Sequence, residues 1–152
     1  MKVRFDRENI EPGLTGIILL SHGPLAPAIL ETAEMIIGNQ ANVAAFAYEP
    51  ADTMDGFAGA VSEAIGVFNG DAIVFTDLCG GTPSNIVMYE ALKNDRPLYA
   101  IAGVNLPMFM EACALRAVGP VETVLAEAEK TGRLGIVNIT EQTKRHKEAA
   151  SV

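Results

Sequence analysis

Cysteine, histidine, basic charge and long apolar runs are all scarce in this chain, and each scarcity removes a class of function. The 152 residues include two cysteines, Cys79 and Cys113, far apart and outside any CxxC or Cys/His spacing. A zinc site is therefore not expected, no metal ligands are assigned, and so ordinary a core has no need of a disulfide. No apolar stretch approaches the roughly 18–20 residues of a membrane span. The opening "MKVRFDRENIEPG" is charged and lacks the apolar centre of a signal peptide. A cytoplasmic protein with reduced thiols is the expectation. Lysine and arginine number 11 against 19 aspartates and glutamates, for a formal net charge of -8. That balance argues against holding a phosphate backbone or anionic lipid, so no nucleic-acid partner is expected. A small basic-faced protein partner suits it better.

What remains is the composition of one globular domain, 49% hydrophobic and 20% charged, with enough residues for a real core. Five short apolar runs have the look of strands: "GIILL" (16–20), "VAAFAY" (43–48), "AIVFTD" (72–77), "LYAIAG" (98–103) and "LGIVNI" (134–139). The first four are continuous rather than alternating, as parallel strands covered on both faces should be. Helical spacing lies between them, at Leu25, Ile29, Ala33 and Ile36, and again at Phe57, Val61, Ile65 and Phe68. Pro83 begins a third helix that ends near Asn94 and Asp95. Pro107 opens a fourth. Pro120 opens a fifth, which Gly132 ends. This alternation predicts an α/β fold with an open, mostly parallel sheet and helices on both faces. The last stretch, "EQTKRHKEAASV", is a polar tail or short surface helix, and His146 within it is solvated.

Ligands of open α/β sheets bind beyond the carboxyl ends of the strands. Ser21, His22 and Gly23 follow the first strand, and "DLCGGTPSN" (77–85) follows the third. If those strands are neighbours, His22 and Asp77 meet. A carboxylate on one ring nitrogen fixes an imidazole's tautomer and frees the other nitrogen as base, ligand or nucleophile. Gly80 and Gly81 allow close backbone approach. Thr82 with Pro83 starts a helix whose first N–H groups form an anion site. Taken singly, each feature has a plainer reading: a loop histidine, a turn aspartate, an ordinary "GGTP" turn. The P-loop lysine and the GxGxxG fingerprint are both missing.

Together, "GIILLSHGPLAPAILETAEMIIG", "AIVFTDLCGGTPSNIVMYEAL" and "IAGVNLPMFMEA" resemble the enzyme IIA domain of the mannose family of the bacterial phosphoenolpyruvate-dependent sugar phosphotransferase system. The likeness runs from about Gly16 to Gly135. It implies domain bounds of 1–15 for an N-terminal extension, 16–140 for the enzyme IIA domain and 141–152 for the tail. It implies a phosphotransferase in which His22 takes a phosphoryl group from the phosphocarrier HPr and passes it to a histidine on a separate enzyme IIB. Membrane subunits are then reached only indirectly, and no cofactor is needed. Asp77 would be the supporting aspartate. Gly23, Gly80, Gly81 and Thr82 would bind the phosphoryl group, with Ser21, Pro83 and Asn105 around the pocket. The resemblance further implies a homodimer in which the C-terminal strand runs antiparallel to the sheet and is exchanged between subunits. Cys79 stands where sugar-uptake members often carry tryptophan, which leaves the docking surface or partner open. Two other roles stay open beside it: a phosphocarrier serving a dihydroxyacetone kinase, and a regulatory module read through its phosphorylation state.

Overall fold

The computed structural model describes residues 1–68, 72–93 and 97–150. In chain order the elements are β1 (Lys2–Phe5), β2 (Gly16–His22), α1 (Leu25–Ile37), β3 (Val43–Tyr48), α2 (Met54–Val67), β4 (Ala72–Thr76), α3 (Thr82–Lys93), β5 (Tyr99–Ala102), α4 (Leu106–Leu115), α5 (Val121–Leu134) and α6 (Ile139–Ala149). They form one five-stranded sheet in the order β1-β3-β2-β4-β5. The pairs among β2, β3, β4 and β5 are parallel, and β1 is antiparallel to β3.

The continuous apolar runs are explained by burial on both faces. Ile17 and Leu19 of β2 point to one core with Ile73, Phe75 and the inner residues of α1, α4 and α5. Ile18 and Leu20 point to the other, with Val74, Phe46 and the inner residues of α2 and α3. All four β2 side chains are fully buried, each stabilising the fold by about 1.5–3 kcal/mol. The central strand is thus packed on both faces, and it ends at His22.

Four of the five expected strands are present. The fifth is not: Leu134 closes α5, Ile139 opens α6, and 135–138 lie in neither. The physical reason is local. Asn138 Oδ1 accepts the Glu141 N–H at 3.1 Å and caps a helix, while among the described residues no strand pairs with this segment. Leu134, Ile136, Val137 and Ile139 are left exposed, and α6 buries no residue. The antiparallel member of the sheet is instead N-terminal. Lys2–Phe5 pairs with β3, and Phe5 stacks 5.5 Å from Phe68. The rest of that segment is held by Asn42, whose side-chain amide donates to the carbonyls of Glu11 (2.9 Å) and Leu14 (2.7 Å). Arg116 adds a buried guanidinium donating to Thr15 and Asn42 carbonyls, and burial pushes its pKa down.

Gly132 does not stop its helix; α5 continues to Leu134. A Cβ at 132 would lie 2.6 Å from Met108 Cε and 2.9 Å from Met108 Cβ, so glycine here permits α4 and α5 to touch. The expected end of α3 near Asn94 and Asp95 lies outside the described residues.

Candidate functional site

The strands β2 and β4 are hydrogen-bonded neighbours, with Leu20 opposite Thr76. The next residues on each chain therefore emerge together at the carboxyl edge. The Asp77 N–H donates to the Leu20 carbonyl at 3.1 Å, which turns its carboxylate back toward His22. One oxygen, Oδ2, accepts the His22 main-chain N–H at 2.8 Å and lies 2.9 Å from His22 Nδ1. The other, Oδ1, accepts the Leu78 N–H at 2.9 Å. An ionised carboxylate only accepts, so Nδ1 carries the ring proton and Nε2 keeps its lone pair. The Asp77 side chain is 9% exposed and that of His22 43%, so the carboxylate is shielded and the imidazole is open to solvent.

The loop after β4 lies against the other side of the ring. A Cβ on Gly81 would sit 2.5 Å from His22 Cε1 and 3.2 Å from Nε2. No side chain fits there without moving the imidazole. The Gly81 carbonyl accepts from Asn85 N–H at 2.9 Å and from Ser84 Oγ at 3.0 Å, which closes the first turn of α3. Thr82 begins that helix, so its leading N–H groups have no intrahelical acceptor. Gly80, with φ of +83°, and Gly23, with φ of +54°, take the left-handed turns that bring both loops to the histidine.

Several expected pocket residues make structural contacts. Ser21 is fully buried; its Oγ accepts the Ala26 N–H at 2.7 Å and donates to the Gly23 carbonyl at 3.0 Å. It thereby caps α1, which has no side-chain cap of its own at Pro24. Pro83 is buried in the first turn of α3. Asn105 accepts the Met108 N–H at 3.0 Å and donates to the Gly132 carbonyl at 2.8 Å, so its amide joins α4 to α5. Cys79 is exposed in the loop. Cys113 is deeply placed, and burial pushes its thiol up to about 11.

One neighbour was not singled out from sequence. The Tyr48 ring, at the end of β3, stands 6.2 Å from the His22 ring at 86°. The signal that could have found it is the same carboxyl-edge rule that found Asp77. A cleft of about 430 Å³ opens at the opposite end of the sheet, between Ile10–Thr15 and the start of α5, away from all these residues. Among the described residues, no group of three or more His, Cys, Asp or Glu could hold a metal ion.

Residues 16–129 match the family described as "PTS system fructose IIA component". The PTS system mannose-specific EIIAB component of Escherichia coli strain K12 is 33% identical over 125 residues, which cover 79% of this chain and 38% of that protein. The chain thus spans well under half the length of the mannose-specific relatives it matches. The PTS system sorbose-specific EIIA component of Lacticaseibacillus casei is 31% identical over 96 residues, covering 62% of this chain and 69% of that one. A crystal structure of phosphotransferase system component EIIA from Streptococcus agalactiae superposes with a TM-score of 0.78 at 27% identity, covering 83% of this chain and 98% of that one. The match over most of the chain and the shared fold lead to one assignment: this chain belongs to the mannose-type enzyme IIA family of the sugar phosphotransferase system.

Proposed function

We propose that His22 accepts a phosphoryl group on Nε2 from phospho-HPr and passes it to a histidine of enzyme IIB. The observation that carries this reading is the 2.9 Å contact of Nδ1 with Asp77, which leaves Nε2 as the free nucleophile. In the forward step the Nε2 lone pair attacks phosphorus while the P–N bond of the donor breaks. The electron pair of that bond returns to the donor imidazole. No proton has to move, because Nδ1 keeps its hydrogen throughout. The ring becomes cationic as the new bond forms, and the carboxylate already in place stabilises that charge without reorganising. The anionic oxygens would rest against the leading N–H groups of α3, and no arginine or lysine clamp is invoked to bind them too firmly. The reverse geometry serves delivery to the acceptor. Incubation with phosphoenolpyruvate, enzyme I and HPr should give one acid-labile, base-stable phosphate per chain. Undiminished labelling of His22→Ala contradicts the reading.

A homodimer is part of the same proposal. β5 is the last strand on its side of the sheet, and the exposed apolar residues Ile136, Val137 and Ile139 need a cover. A sheet edge and an apolar segment of strand-like pattern are complementary between two copies.

A further inference from the structure

We propose that Tyr48 is a positioning residue for His22: its ring is a fixed wall that holds the imidazole in the plane from which Nε2 is presented. This rests on His22 being the accepting histidine. Tyr48 is the register partner of His22 across the β2–β3 pair, so the two side chains leave the sheet side by side on one face. Their rings meet nearly perpendicular, at 86°, with centroids 6.2 Å apart.

The wall is itself anchored. The Tyr48 ring packs at 79° and 5.1 Å against Phe57, which is 1% exposed. The Tyr48 hydroxyl donates to the Asp52 carbonyl at 3.3 Å. The Asp52 carboxylate in turn accepts the Glu49 N–H at 2.7 Å, which closes the turn after β3. The Tyr48 carbonyl accepts the Gly23 N–H at 2.8 Å, so the same residue also fixes the backbone just after the histidine.

The need for such a wall follows from the geometry. A single hydrogen bond from Nδ1 to Asp77 fixes one point of the ring and leaves a pivot about it. On the other side the ring meets the Gly81 backbone, and the one side chain near that contact is the flexible, half-exposed Leu78, not a rigid plane. Tyr48 supplies a rigid neighbour, and a pivoting imidazole would lose the alignment of Nδ1–H with Oδ2. The proton would then exchange between the two nitrogens, and the fraction with a free Nε2 lone pair would fall.

The test has two readouts on the full chain. Long-range nitrogen–proton NMR of the unphosphorylated protein reports the tautomer of His22, with His146 on the exposed α6 as an internal reference. Single-turnover and steady-state transfer from phospho-HPr reports function. Wild type should show Nδ1–H dominating and cross-peaks between the Tyr48 and His22 rings. Tyr48→Leu should mix the tautomers and lower kcat about tenfold, with KM for phospho-HPr changed less than about twofold. Tyr48→Phe keeps the ring and should retain both properties. If Tyr48→Leu does not fold, Tyr48→Met fills the volume without a rigid plane and takes its place. A wild-type tautomer and wild-type rate in the ring-less variant would overturn the proposal, as would missing ring–ring cross-peaks in the wild type. A wild-type protein that takes no phosphate from phospho-HPr overturns the functional reading instead, and the tautomer measurement still decides the role of Tyr48.

Discussion

Asp77 serves three N–H donors with two oxygens, and this arithmetic makes it sensitive to a change of one atom. Asp77→Asn replaces one acceptor oxygen by an NH2 group. In either amide orientation an N–H then faces the donor of Leu78 or those of His22. The charge that supports a cationic ring is also gone. Transfer in both directions should slow by roughly 2–4 kcal/mol of barrier with the fold intact, read by rapid-quench kinetics and circular dichroism. Rates equal to wild type would reduce Asp77 to a turn residue. Gly81→Ala tests the other side of the ring. Its Cβ must displace His22 Cε1, and a shift of about 1 Å predicts a transfer rate about 100-fold lower. An unchanged rate would show that the ring has room to give. The pair His22 and Asp77 was legible in the sequence because strand ends of α/β sheets place chemistry in a known spot. The capping hydrogen bonds of Ser21 and Asn105 were not legible, because they depend on where the Ala26 and Met108 N–H groups come to lie. Tyr48 was hidden because its neighbour is set by the β2–β3 register, and an aromatic ending an apolar run looks like core.

The helices and strands read from apolar period were found wherever burial on the chain's own sheet created that period. The exceptions lie at the edges. β1 is four residues long and carries Lys2 and Arg4, too short and too charged to stand out. Its place in the sheet comes from Val3 and Phe5 pairing with Phe46 and Ala44, which no local pattern announces. Residues 134–139 have the apolar content of a strand, but apolar content does not say which chain will cover it. Gly132 was read as a stop because glycine usually ends helices; here its missing side chain serves the contact with Met108. The two uses separate experimentally. Gly132→Ala should destabilise the protein in urea by about 1–2 kcal/mol, because overpacking against Met108 outweighs the better helix propensity of alanine. Gly59→Ala lies in α2 with nothing within 4 Å of the added carbon and should stabilise by about 1 kcal/mol. A gain of stability at 132 would contradict the tight α4–α5 contact.

At the scale of the molecule, the two edges of the sheet differ. β1 closes the β3 side, and its Lys2 pairs with Glu49 at 3.2 Å while Arg4 pairs with Glu34. Charged side chains along an edge discourage further pairing. Among the described residues β5 itself, Tyr99–Ala102, carries no charged side chain, and Ile136 of the exposed apolar segment lies near its Ile101 and Ala102. Self-association is therefore expected through β5 and 135–139. Light scattering at micromolar concentration should give a mass near twice 16.1 kDa. Val137→Lys with Ile139→Lys changes only side chains exposed in the single chain and should return the mass to one chain, still folded. A wild-type mass of one chain, unchanged on raising the concentration, would rule out the dimer. Neither outcome touches the His22–Asp77 contact, which is made within one chain.

Which atom carries the phosphate is the most direct test of the role proposed for His22. Nitrogen-15 NMR of the protein labelled from phosphoenolpyruvate through enzyme I and HPr distinguishes a phosphoryl group on Nε2 from one on Nδ1. The structure, with Nδ1 held 2.9 Å from Asp77, predicts a single phosphohistidine at His22 bonded through Nε2. Phosphate on Nδ1 of His22, or on His146, would contradict it.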